Sequence, residues 1–224
     1  MTLASRGNDD SPTKPEPSQS VKEARTHMAE IAIRSLSNGR DIEIERLPNP
    51  LMTYGDAARN NEAGTLWVWG KSGRPVAFLE LYRNVGKNEP WVHALTLTSP
   101  ELTQLTGPNG NRWTPKKSHF ALSDIPNAPE VGAQPAVRLR QMKEISRRLE
   151  AHEFWDPNNS RFELRLLVQP VHRYHDESSK VLDGAVFVLA HGTNPEVLVQ
   201  IEADDTEQPP RWRFSFARLG SAEL

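Results

Sequence analysis

The chain has 224 residues, 27 Lys and Arg against 29 Asp and Glu, a formal net charge of −2 and no cysteine. Disulfides, thiolate metal sites and a cysteine nucleophile are therefore excluded, and the charge balance argues against a polycation that coats nucleic acid. No run of about 18 apolar residues occurs, so no transmembrane segment is expected.

Residues 1–19 are Ser, Pro, Asp, Asn and Lys with few apolar groups, and predict a disordered tail ahead of a single α+β domain over 20–224. The first residues lack the apolar stretch of an export signal. As numbered this fits the cytoplasm, and it leaves a bacterial envelope open if a signal has been removed.

Ser20-Val21-Lys22-Glu23 fits a capping box with Ser20 as N-cap. Val21, Ala24 and Met28 then share one face of a helix near 20–29. The period next shortens to two, with Ile31 and Ile33, then Ile42 and Ile44, around the turn signal Asn38-Gly39. That turn sets Ile33 opposite Ile44 and Arg34 opposite Glu43, so the apolar and charged pairs fall on opposite faces.

Residues 48–64, with Pro48, Pro50, Gly55 and several Asn, read as loop. Runs at 65–69 and 75–82 around Gly70 and Gly73 read as a hairpin, and 91–98 as a third antiparallel strand. Six prolines break up 99–135, with short strands predicted near 111–114 and 118–123 and a surface linker over 124–134. Pro135 opens the clearest amphipathic stretch, with Leu139, Met142, Ile145 and Leu149 at helical spacing. Strands are expected again around Phe162, Leu164 and Leu166, over 182–190 and 196–203 as a hairpin, and at 211–216. The fold expected is α+β: curved, mainly antiparallel sheets built from hairpins and packed against one long helix at about 135–152.

Chemistry-bearing motifs are sparse. There is no Gly-x-Ser-x-Gly elbow, Walker loop, dinucleotide fingerprint or His-Glu-x-x-His. His172 and His175 lie three apart in an extended stretch, so they point to opposite faces, and neither a metal nor a cofactor is called for. The basic residues of the 135–152 helix read as a solvated face with Glu144 near Arg140 and Arg148, so no nucleic-acid partner is expected. The guanidinium forks of Arg165, Arg173 and Arg213, with Asp183 and Glu196, are the candidate binding residues, for an anionic small molecule or a protein partner. Cross-strand pairing with acids such as Glu163 and Glu202 is the competing role for the arginines. The six tryptophans, Trp67, Trp69, Trp91, Trp113, Trp155 and Trp212, admit a sugar or peptide groove, although most read as core because they sit within apolar alternation.

Several motifs occur together in order: Trp67-Val68-Trp69 before Gly73-Arg74-Pro75, Arg138-Leu139-Arg140-Gln141-Met142, Glu163-Leu164-Arg165-Leu166-Leu167-Val168-Gln169-Pro170, Leu182-Asp183-Gly184-Ala185-Val186-Phe187 and Gly192-Thr193-Asn194-Pro195-Glu196-Val197-Leu198. Over about residues 30–220 the chain resembles a family of uncharacterised bacterial proteins frequent in planctomycetes. The resemblance carries no activity. It implies a further strand-like segment past the position of Leu219, and in many members an export signal. At the positions of His172, His175 and His191 the family pattern has Tyr, an acidic residue and Gln. The function expected is a non-enzymatic binding or assembly module. The runner-up is a hydrolase of unfamiliar type using His191 and a nearby carboxylate.

Overall fold

The computed structural model describes residues 18–36, 41–56, 61–84, 90–154 and 156–220. Two helices, α1 (Gln19–Met28) and α2 (Pro135–Ser146), accompany antiparallel strands. The first half of the chain carries β1 (Ala32–Ser35), β2 (Ile42–Glu43), β3 (Met52–Asp56), β4 (Asn61–Trp69), β5 (Ala77–Asn84) and β6 (Val92–Leu97). The middle adds β7 (Thr103–Thr106), β8 (Arg112–Trp113) and β9 (Ser123–Asp124). After α2 come β10 (His152–Phe154), β11 (Arg161–Glu163), β12 (Arg165–Leu166), β13 (His172–Asp176), β14 (Val181–His191), β15 (Asn194–Asp204) and β16 (Arg211–Arg218). The fold is α+β and mainly antiparallel. Among the described residues no helix is long and apolar enough to cross a membrane.

The expected pairing of Arg34 with Glu43 is present, and the Ile44 amide donates to the Ile33 carbonyl at 2.8 Å. The Asn38-Gly39 turn lies outside the described residues, as does the predicted tail through residue 17. Helix α1 starts earlier than its capping box suggested: Ser18, not Ser20, is the N-cap, and its hydroxyl accepts from the Val21 amide. Val21, Ala24 and Met28 are buried as one face. Helix α2 ends at Ser146 rather than near 152. The Arg148 side chain donates to the Pro126 carbonyl at 2.6 Å and the chain turns into β10, which pairs with β11. The run read as loop at 48–64 contains β3, because Met52, Thr53 and Tyr54 pair with Leu66, Thr65 and Gly64.

The same unit occurs twice. Each copy has a helix, a short strand pair and a four-strand meander: α1, β1–β2 and β3–β6, then α2, β10–β11 and β13–β16. Pro50 and Pro170, Tyr54 and Tyr174, Asp56 and Asp176, and Gly64 and Gly184 are each 120 positions apart. The ladder is irregular at the same place in both, between Tyr54 and Asp56 and between Tyr174 and Asp176.

These units stack as layers. Trp67, Trp69, Leu79 and Leu81 of the first meander pack with Ala24 and Met28 of α1 and with Ile33. Phe187, Leu189, Val199 and Ile201 of the second pack with Met142 and Ile145 of α2. The opposite faces, Leu66, Val68 and Phe78 from one and Val186, Val188 and Leu198 from the other, form a third cluster between the sheets. Central strands buried on both faces explain their nearly continuous apolar runs. Each fully buried Leu, Val or Phe side chain contributes about 1.5–3 kcal/mol of transfer free energy, offset by ordering entropy.

Candidate functional site

The predicted binding residues divide among separate places. Arg173 grips Asp183 with two hydrogen bonds, 2.9 and 2.7 Å, and Arg138 donates to the same carboxylate at 3.1 Å. Both guanidiniums also bond carbonyls at the start of α2: Arg173 that of Pro135, and Arg138 those of Gly132 and Ala133. This cluster fastens α2 to its sheet. Arg213 lies at the same open end of the hairpin but two strands across, on β16, where it holds Asp204 at 3.0 Å and the Leu122 carbonyl. Arg165 donates to the Gly192 carbonyl, and Glu196 accepts from Asn194 at 2.6 Å. Asp183 stands on the α2 side of β14 with Ala185 and Phe187, whereas Glu196 shares the other face of β15 with Leu198. Arg173 and Asp183 meet as one anion-bridged cluster, and the other three do not join it.

His191 does find a carboxylate, though not Glu196, its near neighbour in sequence. Its Nδ1 lies 2.6 Å from Oε1 of Glu153 on β10, and its ring stacks on Phe162 at 4.8 Å. Glu153 is fully buried and the His191 side chain is 29% exposed. Such a pair can hold a proton in place. His172 stacks on Tyr174, and burial lowers its pKa, whereas the His175 side chain is largely exposed. Among the described residues no three His, Asp or Glu side chains are grouped to hold a metal ion.

Each unit also buries a tyrosine against a glutamate. Tyr54 donates to Glu80 and Tyr174 to Glu202, both at 2.7 Å. Burial first, and the facing carboxylate next, raise both phenols far above their ordinary pKa, so each remains a donor. Each pair is approached from the other unit. The turn between β4 and β5 sends Arg74 onto Glu202 through two bonds, 2.8 and 2.6 Å, and the Arg74 amide donates to Asp176 at 3.0 Å. In return the Gly220 amide donates to Glu80 at 3.0 Å, and Thr193, in the turn between β14 and β15, donates to the Gly55 carbonyl. Gly55 and His175 are 120 positions apart, so each hairpin turn lands at the bulge of the opposite unit. A twofold arrangement gives this reciprocity.

Where the two units meet, two adjoining grooves run along β6. The first, about 300 Å³, is bounded by Leu95, Thr96 and Leu97 of β6, by Trp113 and Phe120, and by Phe216 of β16. The second, about 360 Å³, continues over His93 and Leu95 to Leu105, Pro108 and Arg112, with Trp113 shared. Leu95 and Thr96 point to opposite faces of their sheet, yet both line the first groove, so it follows the edge of the strand. β6 is the last strand of its sheet. β16 pairs with β9 at Arg213 and Phe214, and the Ile125 amide donates to the Trp212 carbonyl. Further along, the Thr96 hydroxyl of β6 donates to the Arg218 carbonyl at 3.1 Å, where the two edges approach without a backbone ladder among the described residues. Trp113 is 50% and Phe216 47% exposed, unusual for side chains of this size. Lys117, Arg218 and Arg112 line the two grooves and no Asp or Glu does.

Of the six tryptophans, Trp67, Trp69 and Trp212 are core, whereas Trp113 forms this wall. The signal was its setting. Asn111-Arg112-Trp113-Thr114-Pro115-Lys116-Lys117 has no apolar alternation around the ring. No family model, curated protein or solved structure matches the chain.

Proposed function

We propose that the protein is a non-enzymatic binding or assembly module that docks a protein partner in the groove along β6. The observation that carries this reading is the half-exposed Trp113 standing beside an open sheet edge, with Phe216 on the far side. A large aromatic held rigidly at the rim of a groove provides contact area at small entropic cost, as binding hot spots do. Trp113 lies on β8, opposite Leu105 of β7, and the segment that follows it is fixed by Ser118, whose hydroxyl donates to the Ser99 carbonyl at 2.6 Å.

The test is ligand-induced change in tryptophan fluorescence and thermal stability across peptides, oligosaccharides and small anions, with Trp113→Ala measured in parallel. Peptides should raise Tm, and the variant should lose that response while keeping the Tm of the free protein. A response to peptides that survives in Trp113→Ala would place docking elsewhere.

The 2.6 Å contact between His191 and Glu153 supports a second reading, a hydrolase with this pair as acid and base. A panel of ester, phosphoester and glycoside substrates should then show turnover that His191→Gln removes without lowering Tm.

A further inference from the structure

The chemistry of the groove specifies its occupant more narrowly. We infer that it receives an extended, acidic segment of a partner protein, laid along β6 as an added strand, with apolar side chains alternating with Asp or Glu. This rests on the docking reading above.

Three independent features favour that occupant. The first is the strand edge. β6 forms a ladder with β5 only. On its other side the Thr96 side chain reaches the Arg218 carbonyl of β16, but no strand among the described residues pairs with its main chain, whose donors and acceptors are the ones strand addition uses. The groove tracks that side from His93 to Leu97.

The second is the spacing of apolar surface. Leu95 and Trp113 are common to both grooves, with Leu105 and Pro108 at one end and Phe120 and Phe216 at the other. An added strand presents alternate side chains to one face, so successive apolar residues fall about 6.6–6.8 Å apart, and the partner needs alternation rather than a helical stripe.

Charge is the third. Arg112 and Lys117 are exposed, neither has an ion pair among the described residues, and no carboxylate lines the groove to compete for them. Some exposed cations elsewhere are paired, as Lys71 is with Glu45 and Arg211 with Glu207, and others such as Arg147 and Lys180 have no ion pair among the described residues. It is the apolar, acid-free lining around Arg112 and Lys117 that sets them apart. Cations left without acids around an apolar slot complement an acidic ligand and discriminate against a basic one.

Selection of phage-displayed random dodecapeptides on the full chain, with counter-selection on Trp113→Ala, tests this. Enriched peptides should alternate aromatic or β-branched residues with Asp or Glu and lack internal proline. One such peptide, synthesised, should slow amide exchange across Val92–Leu97. Arg112→Glu with Lys117→Glu should weaken it about tenfold or more at unchanged Tm, and added salt should weaken it too. Enrichment of basic, proline-rich or helical peptides that still need Trp113 would overturn the acidic strand and leave the docking reading standing. No enrichment over Trp113→Ala would overturn both. A concentration-dependent dimer broken by the double charge reversal would make a second copy of the chain the occupant and overturn the separate partner.

Discussion

The two units solve one problem with different residues. Each must bury a tyrosine beneath its meander, and each supplies a carboxylate 2.7 Å from the phenol. The carboxylates do not occupy the same place. Glu80 stands opposite Leu66, whereas Glu202 stands opposite Gly184, one register step further along. At the places the acids leave, the first unit has Tyr82 opposite Gly64, and the second has Gln200 opposite Val186. Gln200 donates to Glu202 at 2.7 Å. What recurs is the contact and the bulge that aims the tyrosine. The pocket tolerates an exchange of positions as long as one acid reaches the hydroxyl.

The visitors from the opposite unit also differ, by a guanidinium for Glu202 and a backbone amide for Glu80. The guanidinium contact is the more exposed to mutation, because a backbone amide survives any substitution except proline. Arg74→Met should therefore give the largest effect, about 3–5 kcal/mol by urea unfolding, since it leaves a fully buried carboxylate without its cation. Arg74→Met combined with Glu202→Gln should recover part of that loss. A loss under about 1 kcal/mol would mean that Tyr174 and Gln200 suffice to hold the charge.

Next in size are the glycines under the rings. A Cβ at Gly64 would lie 2.2 Å from Tyr54 Cζ, and one at Gly184 would lie 2.4 Å from Tyr174 Cε2. Neither ring is free to retreat, because its hydroxyl is held by the buried glutamate. Gly64→Ala and Gly184→Ala should each cost about 3 kcal/mol, and by similar amounts if the units are equivalent here. A large difference between them would show that one tyrosine can tilt away.

Much of the local architecture was legible in the chain. The Arg34–Glu43 register followed from alternation plus one turn signal, and the hairpin over 181–204 followed from its apolar runs and the Gly192 turn. β3 was not legible. Met52, Thr53 and Tyr54 are followed by Gly55 and a bulge, so the strand carries the composition of a loop, and its pairing to β4 comes from tertiary packing. The repeat was hidden for the reason the carboxylates show: only a few positions keep their spacing, while Glu80 and Glu202 are 122 positions apart. The candidate arginines failed to converge because guanidiniums on strands find local carboxylates and helix-end carbonyls first, as Arg173 does with Asp183 and Pro135. Trp113 was recognisable only as a tryptophan without an apolar pattern around it. The groove itself depends on β6 and β16 meeting, which no local signal contains.

Removing one phenol hydroxyl is a gentler probe of the same comparison. Tyr54→Phe and Tyr174→Phe each delete a single hydrogen bond to a buried carboxylate, and each should cost roughly 1.5 kcal/mol. Tyr174→Phe should be the milder, since Arg74 and Gln200 stay on Glu202. If it is instead the harsher, the phenol rather than the guanidinium organises the second pocket.

Acid should separate the units more subtly than any substitution. Burial lowers the pKa of His27 and His93 in the first unit, with each other's rings 2.9 Å apart at Nε2, and of His172 in the second. For each, the folded state binds a proton less readily than the unfolded chain, whose histidines titrate near 6.5. Stability from these groups is complete above that value and declines as pH falls through 6.5 toward the depressed folded pKa. Asp176 behaves likewise at lower pH. Its partial burial raises its pKa, but hydrogen bonds from Ser178, the Arg74 amide and Ser179 outweigh that and bring it to about 2. Its contribution is present above the ordinary 3.8 and is lost between 3.8 and about 2. Thermal melts from pH 7.5 to 2.5 should thus show two declines. His27→Gln with His93→Gln should flatten only the upper one. Asp176→Asn, which removes the anchor for the Arg74 turn, should flatten the lower one and also reduce stability at neutral pH. An upper decline unchanged by the double histidine variant would assign it to His172, in the layer between the sheets, and would make the contact between units, not the α1 face of the first, the part of the protein that acid loosens first.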